Sequence, residues 1–309
     1  MANLTLKQLR YFEALAAQRH FGRAADVCAI SQPALSVQIR ELEETLGVGL
    51  FERGARQVRL TGFGEDFALR VRDILRAVDE LGDLARAAQG GIAGRLRIGV
   101  IPTIAPYLLP GFIRALSRSH PQIDVHIRET ITPRLVAELI EGRIDAAIVA
   151  LPIGEPSLTE MALFDEDMLL VRPMADAGLP VPSPDTLCDM RLLLLEQGHC
   201  FRDHAQAFCG GPARRMEQGL DGSSLSTLVQ MVGAGIGVTL IPEMALAVEA
   251  RSAPVSVVRL AGAQPGRSVG MIWRRTNPLA KHLGEVAEVV REAGSGRQAA
   301  TPPHSGSRR

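Results

Sequence analysis

The sequence predicts an α/β protein headed by an all-α winged helix-turn-helix. Three observations carry that prediction. Short amphipathic helices and a basic hairpin fill residues 1–62, a heptad-patterned helix spans 63–90, and strands alternate with helices over 91–293. Residues 294–309, rich in Gly, Ser, Pro and Arg, are expected to form a disordered tail.

Thr5-Leu6-Lys7-Gln8 has the form of a capping box, and Leu6, Leu9, Phe12, Leu15 and Ala16 follow at helical spacing. A second short helix is expected over 22–28. Ser31-Gln32-Pro33 opens a third with a hydroxyl cap and a proline in the first turn. Its stripe is Leu35, Ile39, Leu42 and Leu46, and Gly47 ends it. Residues 51–60 read as a hairpin turning at Gly54. Thr61 then caps a helix running to about Gln89, in which Phe67, Val71, Ile74, Val78, Leu81, Ala85 and Ala88 alternate steps of four and three. That seam suggests a coiled-coil dimer; the alternative is a helix lying on its own domain.

Gly90-Gly91 and Gly94 mark a hinge. Beyond it, strands are expected at 96–100, 123–127, 146–150, 168–171, 192–195, 238–241 and 269–273. Helices are expected at 107–119, 133–141, 199–208, 224–233 and 279–292. Alternation of this kind implies βαβ units and a mostly parallel sheet.

Bulk composition narrows the class without deciding it. The chain is 46% hydrophobic and 22% charged with formal net charge zero, as in a globular protein with no overall nucleic-acid signature. Residues 1–64 hold eight basic side chains against six acidic ones. No apolar run follows a basic start and none reaches the length of a membrane span, so a cytoplasmic protein without membrane contact is expected. In a reducing compartment the four cysteines are not a structural disulfide framework. No nucleotide fingerprint, zinc-ligand spacing or Ser-His-Asp set stands out, and neither a cofactor nor a metal is expected.

The third helix offers Ser31, Gln32, Ser36, Gln38 and Arg40, groups that reach phosphates or base edges in a major groove. Arg53, Arg56 and Arg59 in the wing suit phosphate or minor-groove contact. Leu9-Arg10-Tyr11-Phe12, Phe21-Gly22-Arg23-Ala24-Ala25, Ser31-Gln32-Pro33-Ala34-Leu35-Ser36, Ile39-Arg40-Glu41-Leu42-Glu43, Leu46-Gly47, Leu50-Phe51-Glu52-Arg53 and Leu60-Thr61 together resemble the start of LysR-type transcription regulators. The resemblance is most specific over residues 4–62 and extends to about Ala293. It implies two Rossmann-like subdomains of periplasmic-binding-protein type, with the chain crossing between them twice. It also implies a homodimer or homotetramer on double-stranded promoter DNA, RNA polymerase as a partner, and Pro33 among the DNA-facing residues.

Gly198-His199-Cys200-Phe201-Arg202-Asp203 places a thiol at a helix start beside His199 and Arg202, three influences expected to favour thiolate. A reachable thiolate attacks peroxide to give a sulfenic acid, and Cys209, nine residues on, offers a resolving thiol. On an unbroken helix that separation is about 13–14 Å, whereas a disulfide needs Cα atoms within about 7 Å, so closure must unwind the segment. The bland alternative is two unrelated cysteines. Leu194 to Asp203 with Phe208-Cys209, and Ile101 to Pro110, resemble the peroxide-sensing branch of the LysR-type regulators. That resemblance implies Cys200 as peroxidatic and Cys209 as resolving, hydrogen peroxide as the signal, and Thr103, His199, Asp203 and Arg267 as the polar network, with Thr132 a further candidate. Gly210 to Arg215, glycine-rich and basic, depart from the branch pattern. Cys28 and Cys188 are expected to be structural. Two other functions compete: a regulator binding a small organic effector between its subdomains, with passive cysteines, and a thiol peroxidase.

Overall fold

The computed structural model describes residues 4–52, 58–88, 94–208 and 222–298. The chain divides into two compact units, Met1–Ala85 and Arg86–Arg309.

In the first unit, α1 (Leu6–Gln18), α2 (Phe21–Val27) and α3 (Gln32–Leu46) enclose one core with the start of α4 (Gly62–Ala88). Each begins where its polar cap allows. The Thr5 hydroxyl accepts the Gln8 N–H while the Gln8 carboxamide accepts that of Thr5, and the Ser31 hydroxyl accepts the Ala34 N–H. Gly47 ends α3 at φ +70, a conformation costly for a residue with a Cβ. The wing appears as a Phe51–Leu60 bridge with the Glu52 N–H donating to the Arg59 carbonyl. The Glu43 carboxylate anchors its start by accepting the Leu50 and Phe51 N–H groups.

The helix expected as one dimer seam has two apolar faces instead. Ala68, Val71 and Leu75 are buried, and Phe67 packs on the same core, so these residues bind the helix to its own domain. Phe63, Ile74, Leu81 and Leu84 are exposed along a neighbouring stripe. The seam therefore mixed the two: Phe67 and Val71 belong to the core, Ile74 and Leu81 to the open face.

The second unit holds β1 (Gly94–Val100), α5 (Ala105–Ser119), β2 (Ile123–Glu129), α6 (Thr132–Ile140), β3 (Ala146–Leu151) and β4 (Leu158–Pro173). These are followed by α7 (Pro184–Asp189), α8 (Cys200–Phe208), α9 (Leu225–Gly233), β5 (Thr239–Pro242), α10 (Leu246–Glu249), β6 (Val255–Val258), β7 (Gly266–Arg274) and α11 (Ala280–Gln298). Sheet order is β2-β1-β3-β7-β4-β5, with β6 also on β4. β1 pairs parallel with β2 and β3, but β3–β7, β4–β7, β4–β5 and β4–β6 are antiparallel. The sheet is thus mixed, not mostly parallel.

The reason is β4. Its first half pairs with β7 and its second half with β5 and β6, so the strand passes from one core to the other, and β7 brings the chain back. The first half escaped sequence reading because carboxylates interrupt its alternation. The strand expected at 192–195 is reduced to isolated bridges, Leu192 with Val238 and Leu195 with Gly222. α11 runs on to Gln298 with Gly294 buried against the Phe164 ring, so the expected tail begins inside a helix.

One side chain crosses between the cores. Tyr107 leaves α5 and is buried among residues of the second core, where its hydroxyl donates to the Glu249 carboxylate at 2.7 Å. Ser226 donates to the same oxygen at 2.9 Å. Burial and the adjoining carboxylate push the Tyr107 phenol far up, so it stays a donor.

Candidate functional site

The third helix presents its predicted residues on an exposed ridge between two grooves. Ser31, Gln32, Pro33 and Arg40 are exposed, while Ser36 and Gln38 are half-buried. Ser36 and Arg40 line a groove with Phe21, Glu43, Phe51 and Glu52. Pro33 and Gln38 line a second groove with Lys7 and Tyr11 of α1, and Gln38 donates to Glu41 at 2.7 Å. The expected wing cations Arg53 and Arg56 lie outside the described residues; Arg59 is exposed.

The cysteine site forms where β1, β2 and β3 end, the usual ligand position in an α/β sheet. Thr103 follows β1, Thr132 opens α6 after β2, and Ala150 lies near the end of β3. Cys200 enters from the other side as the first residue of α8. Gly198, at φ +93, makes the turn before it, where a Cβ would meet the Ile131 side chain at 2.8 Å. Cys200 packs against the first core and the neighbouring Phe201 is buried in the second. The thiol thus sits on the border between the two.

Arg267 on β7 is the cation that acts on this sulfur. It donates through Nη1 to Thr103 Oγ1 at 2.7 Å, through Nη2 to the Thr103 carbonyl at 3.1 Å, and through Nε to Glu166 Oε1 at 2.7 Å. Thr103 Oγ1 therefore serves as acceptor and its own proton is free to point elsewhere. The Thr132 oxygen is buried with no hydrogen-bond partner among the described residues, although its hydroxyl lies close enough to favour a Cys200 thiolate. The Thr132 hydroxyl is thus aimed at the sulfur and engaged with no other described group. The Ala150 N–H also favours thiolate.

The expected activation by sequence neighbours does not hold. Burial raises the Cys200 thiol above its ordinary value; Arg267, Thr132 and the Ala150 N–H oppose the rise, and Asp203 adds to it. Burial likewise lowers His199 against the pull of Glu196, which favours a neutral ring. Arg202 turns to donate to the Leu195 carbonyl at 3.1 Å. Asp203 is exposed. Arg267 acts on the thiol and holds Thr103 by two hydrogen bonds, while His199 and Asp203 border it without charging it favourably. Glu166, missed in the sequence, completes the network. Cys209 lies outside the described residues. Cys28 caps α2 and its thiol is pushed up by burial, whereas Cys188 on α7 is disulfide-bonded rather than a simple packing residue.

Comparison with known proteins fits both halves. Residues 6–65 match the family described as bacterial regulatory helix-turn-helix protein, lysR family, and residues 89–295 match the LysR substrate binding domain. The chain belongs to the LysR family. This LysR regulator is 41% identical over 297 residues to a probable hydrogen peroxide-inducible genes activator of Streptomyces viridosporus, covering 94% of each chain. It is 39% identical over 292 residues to the DNA-binding transcriptional dual regulator OxyR of Escherichia coli, covering 93% of this chain and 95% of that one. A full-length OxyR variant from Pseudomonas aeruginosa shares its fold with TM-score 0.74 at 35% identity, over 94% and 95% of the two chains. A hydrogen peroxide-bound OxyR variant from Corynebacterium glutamicum gives TM-score 0.67 at 32% identity over 98% of each. No helix among the described residues is long and apolar enough to cross a membrane.

Proposed function

We propose that this LysR regulator senses hydrogen peroxide at Cys200 in the cytoplasm and converts its oxidation into altered control of antioxidant promoters. The observation that carries the reading is the cluster around the thiol: a partly buried sulfur acted on by one guanidinium and by the Thr132 hydroxyl, with a second hydroxyl, that of Thr103, held by the same guanidinium. The thiolate sulfur attacks one peroxide oxygen, the O–O bond breaks, and the departing hydroxide takes a proton to become water. Arg267, Thr103 and Thr132 are placed to stabilise the charge on the leaving oxygen. Cys209 then displaces the sulfenic hydroxyl as a second water, closing Cys200–Cys209. α8 is helical from Cys200 through Phe208, so closure must unwind it.

A peroxidase would turn over, whereas this reading expects one oxidation per chain followed by reduction elsewhere. Peptide-resolved thiol mapping after stoichiometric peroxide, run beside a DNA footprint, tests it. Cys200→Ser is expected to abolish both the oxidation and the footprint change, and Cys209→Ser to stop at sulfenic or higher acids. The closure needs Cys209 as a free thiol, and Cys188 is disulfide-bonded while Cys28 and Cys200 are free, so the protein is fully reduced before peroxide is added and the mapping follows Cys188 as well, with Cys188→Ser as a control. A disulfide that forms at Cys200 with no footprint change would favour an organic effector bound between the subdomains.

The exposed stripe of α4 is read as the contact with a second copy on promoter DNA. Leu81, 64% exposed, is the most open of its large apolar residues. Leu81→Asp should shift the protein to monomer in sedimentation and weaken operator binding at least about tenfold, the effect of about 1.4 kcal/mol. A dimer of unchanged mass would place the interface elsewhere.

A further inference from the structure

Glu166 plays no part in the peroxide chemistry above, yet it is the most tightly held carboxylate near the thiol. It lies on β4 directly opposite Arg267 on β7. The two side chains are 2% and 0% exposed, with Nη2 at 2.6 Å from Oε1. The second oxygen, Oε2, accepts the Met244 N–H at 3.3 Å, so the carboxylate is fixed from two directions. The guanidinium it binds is the one that holds Thr103 by two hydrogen bonds.

We propose that Glu166 sets the acidity of the Cys200 thiol by offsetting part of the positive charge of the Arg267 guanidinium that holds Thr103. The remaining charged and titratable groups around the sulfur cannot do this. Asp203 on α8 is exposed and raises the thiol, and His199, before α8, is shifted toward its neutral form while facing Glu196. The His204 ring is engaged with the Cys200 carbonyl at 2.7 Å, Tyr107 is bound to Glu249, and Glu129 lies at the exposed end of β2. Arg267 is the cation favouring thiolate, and Glu166 is its only salt-bridge partner among the described residues. A carboxylate there makes the thiol less acidic than Arg267 alone would, which raises the peroxide level needed to trip the switch.

The inference takes Cys200 as the reactive sulfur of the proposed function, but its test uses no peroxide, so the two fail separately. The rate of Cys200 alkylation is followed against pH in the full chain by peptide-resolved mass spectrometry. Glu166→Gln keeps the shape and an acceptor for Arg267 while removing the charge. Its midpoint should fall by about one pH unit or more. A merely structural role, in which Arg267 drifts from the thiol, would raise the midpoint, and a rise or no change overturns the proposal. Glu166→Asp keeps the charge on a stem shorter by one methylene, avoids a lone buried cation, and decides the matter if the glutamine variant does not fold. Its midpoint should move the same way by a smaller amount, and again a rise or no change overturns the idea.

Discussion

Phe201→Ala is expected to destabilise the reduced regulatory unit by about 3–5 kcal/mol while making the disulfide easier to form. Phe201 is fully buried in the second core, next to Cys200, and with Ala205 it fixes α8 to that core. The proposed closure pulls this segment out of its helix. Without the ring, oxidation has less apolar packing to break, so the destabilisation falls mainly on the reduced state. Denaturant unfolding of the reduced protein measures the first effect, and redox titration against glutathione the second. Equal destabilisation of both redox forms would mean that Phe201 stays buried when the bond closes, and the unwinding account would fail.

Phe12→Ala should cost about 3–5 kcal/mol in the DNA-binding unit. The Phe12 ring is fully buried, with the Phe51 ring at 5.5 Å and the Phe67 ring at 5.1 Å, the latter edge-on. These three aromatics join α1, the base of the wing and the first turns of α4. Truncation removes the central ring, so loss of operator binding should accompany the fall in thermal stability even though no DNA-facing residue changes. Thermal unfolding of the isolated transition and a binding titration read both. A loss under about 1 kcal/mol would show that the site collapses around the missing ring.

The parts of this protein that were legible in sequence are those specified locally. Thr5, Ser31 and Thr61 announce helix starts because a cap needs only a hydroxyl and the next few N–H groups. Cys200 could be singled out from its own neighbours, but its electrostatics could not. The adjacent residues His199 and Arg202 suggested the charge, whereas the acting cation, Arg267, arrives through the β4–β7 register. Resemblance alone pointed to Arg267 and Thr103. Glu166 escaped because a carboxylate in a strand looks solvent-facing until its partner across the sheet is known. The Ala150 contribution is a backbone N–H and leaves no mark on residue type. On α4, a period of four and three suits either an own-domain face or a partner face, and here the two faces share one pattern.

Tyr107 gives the regulatory unit a mechanical character. Its helix belongs to one lobe and its ring is seated in the other, riveted to Glu249 beside Ser226. A clamshell motion would have to draw that ring out of apolar packing and strand a buried carboxylate, a penalty incurred before any signal is sent. The lobes are thereby stiffened against each other. A displacement that begins with the proposed disulfide would then fall on α8 rather than on the junction between the lobes. Loosening the rivet, as in Tyr107→Phe, would let the lobes absorb the displacement and leave less of it to travel beyond them.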